Sequence, residues 1–222
     1  MREMDDKLYE HIRLLISRYP VLESVRQDIA AAYLVMEECY EQGGKLLIAG
    51  NGGSASDAEH IAGELMKRFK TPRPVSLEFA NRLRQADEQL GNALADNLEC
   101  SLMAIPLVAH EALSTAYIND VDGYGVFAQQ LFGFGRAGDV FLGISTSGNS
   151  RNVLNATVVA KASDIKVIGL TGGNGGRLAQ TADVAVRVPE EETYMVQELH
   201  LPIYHCWCLM LEEHFFGKEG TH

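Results

Sequence analysis

The chain has 222 residues, 46% of them apolar and 22% charged, which suits a globular protein able to bury a core without disulfide staples. A formal charge of −11 argues against a nucleic-acid partner, whose phosphates demand a basic surface, but leaves room for an anionic small molecule held by backbone N–H groups and hydroxyls. No apolar signal segment opens the sequence and no 18-residue apolar run occurs, so neither a signal peptide nor a membrane span is expected. The four cysteines (Cys39, Cys100, Cys206 and Cys208) lack CxxC spacing and read as reduced core residues of a cytoplasmic protein.

Residues 5–42 predict two helices. Leu8, Ile12, Leu15 and Ile16 fall at helical spacing before Pro20 interrupts. Val25, Ile29, Tyr33, Leu34 and Met36 form a second apolar face, ended by Gly43-Gly44. The pattern then changes to strand, turn and helix. KLLIAG (45–50) predicts a buried strand, followed by NGGS and a helix through Lys67. Residues 74–101 are polar with helical patches around Leu77, Leu83, Leu90, Leu94 and Leu98. They read as an insertion without a strand, mobile or packed on a neighbouring subunit.

MAIPLVA (103–109) predicts a weaker strand, since Pro106 belongs at an edge or a strand end. DVFLGIS (139–145) leads through TSGNS into a helix from Arg151 to about Ser163. KVIGLTG (166–172) precedes GNGGRLAQTA, and VAVRVP (184–189) precedes a helix from about Tyr194 to His214. Apolar strands alternating with helices predict a doubly wound parallel α/β sheet of flavodoxin-like type, in one domain over residues 1–222.

Ligands of such sheets bind beyond the carboxyl ends of the strands. The loop GNGGSASDAEH places Ala55 where the strict G-x-G-x-x-G fingerprint has its last glycine. No acidic residue follows about 20 positions on to hold a ribose, and no G-K-[ST] is present. A nucleotide cofactor is therefore not expected. ISTSGNS (144–150) sets several hydroxyls between a buried strand and a helix N-terminus, an arrangement suited to phosphate; the plainer reading is that one serine caps the helix. TGGNGG (171–176) reads either as a third ligand loop or as a connector. His60 and Glu64, four apart, share one helix face, while Gln197, Glu198, His200 and His205 interrupt the apolar last helix.

GNGGSxxDAxHxxxEL, ISTSGNSxNV and VQExHxxxxH, in that order, resemble the sugar isomerase (SIS) domain family, and within it the branch acting on a phosphorylated seven-carbon sugar. The resemblance implies a five-stranded parallel sheet between helices and a homotetramer with active sites between subunits. It implies that Ser145, Thr146, Ser147 and Ser150 hold phosphate and that Asn51, Gly52, Gly53 and Ser54 line the sugar. Asn119-Asp120 and Gln197 are implied to reach the substrate, with Glu64 the catalytic carboxylate and His205 the catalytic histidine. Some members bind zinc through residues that correspond to His60, Glu64, Gln197 and His205. The expected reaction is aldose–ketose isomerisation of sedoheptulose 7-phosphate through an enediolate, with Glu64 as base and His205 moving protons between oxygens. A non-catalytic member that senses phosphosugars or binds a replication initiator is the rival, and the presence of both Glu64 and His205 favours the enzyme.

Overall fold

The structure, a computed structural model, describes residues 4–217. Helix α1 (Asp6–Arg18) and helix α2 (Arg26–Glu41) flank a 3₁₀ turn at Pro20–Val25, where proline ends one helical run and starts the next. Strand β1 (Leu46–Ala49) leads into α3 (Gly53–Met66). Two short helices follow, α4 (Leu77–Ala86) and α5 (Glu88–Asn97), capped by the side chains of Ser76 and Asp87. Next come β2 (Ala104–Pro106), α6 (Glu111–Asp120), α7 (Val126–Phe134), β3 (Val140–Ser145) and α8 (Arg151–Ala162). The chain closes with β4 (Lys166–Thr171), α9 (Gly176–Thr181), β5 (Val184–Arg187) and α10 (Thr193–Phe216).

All strand pairs are parallel, in the order β2-β1-β3-β4-β5, so the five-stranded doubly wound sheet expected from the sequence is present. Alternate residues of each strand feed two apolar layers. Leu46, Ile48, Leu142, Ile144, Ile168 and Leu170 face α1, α2, α3 and α10, whereas Leu47, Phe141 and Val167 face α7, α8 and α9. The apolar stripe of the first two helices is thus buried within the chain itself, α2 on the sheet and α1 on α10 and α2, and Trp207 of α10 locks α2 in place by donating to the Ile29 carbonyl at 3.0 Å. Pro106 ends the three-residue edge strand β2, as its missing N–H requires.

Helices α6 and α7 were not apparent in the sequence. Helix α6 buries no residue in this chain and so shows no apolar stripe, while α7 is a short, almost wholly apolar run. Helices α4 and α5 pack on each other and bury only Ala80 and Gly91, leaving Leu77, Leu90, Leu94 and Leu98 exposed. No membrane-length apolar helix occurs among the described residues.

Candidate functional site

The strand order reverses between β1 and β3, and the two loops that mattered most in the sequence leave their carboxyl ends at Ala49 and Ser145. Between these loops lies a cavity of about 390 Å³, and its walls include Asn51, Gly52, Gly53, Ser54, Ser145, Thr146, Ser150 and Gln197. Eight expected substrate residues therefore converge in one chain. Thr193, in the first turn of α10, also lines the cavity and was not singled out from the sequence, where a lone threonine gives no signal.

The hydroxyl loop is not spent on capping. Ser150 occupies the N-cap of α8, yet its hydroxyl makes no cap hydrogen bond; instead Ser145 Oγ and Ser150 Oγ lie 2.9 Å apart, beside the cavity. Side-chain hydroxyls and the N-terminus of a 12-residue helix thus face one space, a combination that suits a phosphate dianion. Ser54 lies just inside α3, whose N-cap is Gly52 with no side-chain cap.

The loop is held from two sides. Asn51 and Asn152 exchange amide hydrogen bonds of 3.0 and 2.8 Å, tying the first loop to the start of α8. Behind, the TGGNGG segment acts as a buttress: Gly172 N donates to the Thr146 carbonyl, Leu178 N to the Gly148 carbonyl and Arg177 N to Asn149 Oδ1. The packing is close enough that a Cβ at Gly148, where φ is +64°, would lie 1.9 Å from the Gly175 carbonyl oxygen. Gly53 meets a similar constraint from the front, since a Cβ there would sit 2.6 Å from Gln197 Nε2.

Further along α3 lies a second polar group. His60 Nε2 and Glu64 Oε1 are 3.3 Å apart, Lys67 Nζ donates to Glu64 Oε2 at 3.2 Å, and the His205 ring stands edge-on to His60 at 5.0 Å. His60 Nδ1 lies 3.0 Å from the Tyr204 hydroxyl, which donates to Asp57 Oδ1 at 3.2 Å. Burial, reinforced by His60, holds the His205 pKa below the ordinary histidine value, so its ring is neutral at neutral pH; its Nε2 is buried without a hydrogen-bond partner. Asp57 and Tyr204 were missed, because neither type at that position signals chemistry until the two helices pack. His200 is different: it is fully buried in the core and its pKa falls to about 4, chiefly through desolvation.

The loop behind this cluster is fastened by an ion pair with no sequence signature. Buried Glu212 accepts from the backbone N–H groups of Phe69, Lys70 and Thr71 at 2.7–2.9 Å and from Arg73 Nε at 2.9 Å. Arg73 in turn donates to the carbonyls of Leu65 and Glu64, holding the C-terminal end of α3.

Other expected residues are not gathered. Asn119 and Asp120 sit on the exposed end of α6, hydrogen-bonded to each other, and Ser147 is exposed with its hydroxyl accepting from Asn149 N; none of the three lines the cavity. Gln197 lies against Gly53 at the start of α3, and His60, Glu64 and His205 do not bring three ligand atoms within 4.8 Å of one another in these rotamers. Among the described residues, the trio of carboxylate and imidazole groups with ligand atoms within 4.8 Å of one another is Glu37, Glu41 and His214, on α2 and α10. His60 and Glu64 by themselves suit a metal. Their 3.3 Å separation matches the edge, about 3.4 Å, of a tetrahedron with ligands at about 2.1 Å.

Comparison with known proteins agrees with this architecture. The SIS domain family model matches residues 9–98 and 91–172. A phosphoheptose isomerase of Aneurinibacillus thermoaerophilus is 36% identical, the match covering 97% of this chain and 98% of that protein. One from Sulfurimonas denitrificans is 40% identical over 78% of this chain and 75% of its own length. The solved phosphoheptose isomerases of Neisseria gonorrhoeae and Francisella tularensis superpose with TM-scores of 0.71 and 0.73, each at 31% identity. Both cover 94% of this chain, and the matches span 98% and 97% of those chains. With its doubly wound sheet, its hydroxyl loop at the switch point and these relatives along nearly its whole length, the chain belongs to the SIS domain family.

Proposed function

We propose that this protein is an aldose–ketose isomerase that converts sedoheptulose 7-phosphate to D-glycero-D-manno-heptose 7-phosphate. The observation that carries the reading is the pairing of an anion cavity, whose N-cap serine forgoes its helix, with a carboxylate and a neutral imidazole on adjoining faces of α3 and α10. A sensor of phosphosugars needs the first alone.

In the reaction, phosphate is held by Ser145, Thr146, Ser150 and the N-terminus of α8, so binding remote from the chemistry positions the reacting carbons. Asn51, Gly52, Gly53, Ser54 and Gln197 contact the sugar. Glu64 removes a proton from C1 of the open-chain ketose, giving the enediolate, and returns it to C2. Neutral His205, with one N–H and one lone pair, carries the O1 proton to O2, so that the carbonyl moves to C1.

Glu64 lies about 16 Å beyond Gly53 along α3 at about 1.5 Å per residue, an axial distance longer than a seven-carbon chain. This supports a homo-oligomeric assembly, a tetramer in our reading, in which the cavity of one copy meets the catalytic pair of another. The exposed α6 with Asn119 and Asp120, and the leucines of α4 and α5, suit such contacts. Zinc, where bound, would be held first by His60 and Glu64, whose spacing fits it, with His205 and Gln197 the remaining implied ligands, and would supply polarisation of the substrate carbonyl. The cytoplasm, where phosphorylated sugars are made and reduced cysteines persist, is the proposed location.

The test is incubation of purified protein with sedoheptulose 7-phosphate, following aldose formation, alongside Glu64→Gln. Turnover by the wild type, abolished in E64Q with binding of the sugar phosphate retained, is the expected result. Binding without turnover in the wild type would make the protein a sensor, and unaltered activity in E64Q would remove Glu64 as the base.

A further inference from the structure

We infer that Tyr204 is a positioning residue whose hydroxyl, shared between Asp57 and His60, fixes His60 in the tautomer that bears its proton on Nδ1 and turns a bare Nε2 toward Glu64. The catalytic consequence rests on the isomerase reading; the tautomer itself does not.

The argument is one of proton counting. A tyrosine hydroxyl has one proton to give and lone pairs to accept with. As a carboxylate Asp57 can only accept; burial raises its pKa while the Tyr204 hydrogen bond and His60 favour the charged form, and with its Oδ1 3.2 Å from the Tyr204 oxygen the hydroxyl proton is committed there. The same oxygen then faces His60 Nδ1 at 3.0 Å with a lone pair, and a hydrogen bond forms only if Nδ1 carries hydrogen. A neutral ring protonated at Nδ1 has a lone pair at Nε2, and that atom is 3.3 Å from Glu64 Oε1. Two acceptors aimed at each other define a place for an electrophile, whether a substrate proton or a divalent cation. Carboxylate-backed histidines of this kind are the usual means of orienting such a ring.

Packing makes the relay rigid. The Tyr204 body is buried at 1% exposure, and its ring meets those of His60 and His205 edge-on at 5.5 and 5.1 Å. His60 and His205 are themselves perpendicular, so three rings brace one another. The His60 side chain is 42% exposed, and the Tyr204 hydroxyl is the hydrogen-bond partner that its Nδ1 meets.

Nitrogen-15 spectra of the metal-stripped protein, at a pH where His60 is neutral and with its signals assigned by their loss in His60→Gln, read the tautomer directly. The expected wild-type pattern is a protonated Nδ1 and a bare Nε2. Tyr204→Phe keeps the ring packing and should lose that preference, with kcat falling roughly 10- to 100-fold and KM unchanged. Wild-type His60 protonated at Nε2 would overturn the inference, as would Tyr204→Phe retaining the wild-type tautomer. The wild-type spectrum serves even if the variant folds poorly. Absence of turnover in every form, with the wild-type tautomer as expected, would refute the isomerase reading and leave the relay standing.

Discussion

Replacing Glu212 by alanine should unfold the protein at markedly lower temperature and loosen the end of α3. In the native state the Glu212 and Arg73 side chains are 2% and 0% exposed, with Arg73 Nη2 2.8 Å from Glu212 Oε1. Burial pushes the Glu212 pKa up, but the N–H groups of Phe69, Thr71 and Lys70 together with Arg73 outweigh it and hold the carboxyl below its ordinary range. Glu212→Ala leaves a buried guanidinium without its counter-charge and three backbone donors without an acceptor. Breaking one side of such a pair destabilises by about 3–5 kcal/mol. For a chain of this size, where 1 kcal/mol moves the midpoint by about 2–4 °C, Tm should fall by about 6–20 °C. Thermal and urea unfolding followed by circular dichroism would measure it. The double variant Arg73→Met with Glu212→Leu, which removes both charges at similar volume, should recover most of the loss. A Glu212→Ala protein within about 1 kcal/mol of wild type would refute the reasoning, and so would a double variant as unstable as the single one.

Gly53→Ala should leave Tm unchanged or slightly raised, because alanine is the better helix former, yet raise KM by roughly 5- to 30-fold as the new methyl displaces Gln197 from the cavity wall; an unaltered KM would show that Gln197 does not contact the sugar. Gly148→Ala should damage both stability and phosphate affinity, since it combines a positive φ with a 1.9 Å approach to Gly175, and inorganic phosphate inhibition would report the second effect. Buried His200 has its folded pKa depressed to about 4 from an ordinary 6.5. The unfolded chain therefore takes up the proton first, and the stability present above about pH 6.5 is lost as pH falls toward 4, by at most about 3 kcal/mol. Urea unfolding between pH 7 and pH 4.5, repeated with His200→Phe, should show a weaker slope in the variant.

The strands were legible because a parallel sheet covered on both faces needs short uninterrupted apolar runs, and LLIA, VFLGIS and KVIGLT are such runs. The two loops beyond β1 and β3 were legible for a related reason: glycines and clustered hydroxyls between a strand and a helix have few structural uses. What the sequence left open on ISTSGNS, ligand loop or simple cap, depended on the rotamer of Ser150, and its pairing with Ser145 at 2.9 Å shows that the hydroxyl does not cap the helix but stays beside the cavity. TGGNGG was equally ambiguous until its carbonyl and amide contacts made it the wall behind that loop. Helix α6 could not be read at all, since a helix that buries nothing in its own chain carries no apolar period.

Sequence by itself determined the sheet, the loops at its carboxyl ends that carry the unusual chemistry and the residue types in them, because these follow from hydrophobic period and local backbone chemistry. Tertiary structure decided what depends on helices distant in sequence lying side by side. Asp57 and His60 meet Tyr204 across more than 140 residues of chain, and Glu212 reaches back to Phe69, Lys70 and Thr71 over a similar span. A hydrogen-bond relay or a buried ion pair of that kind has no period and no spacing to betray it; it exists only once α3 and α10 have packed.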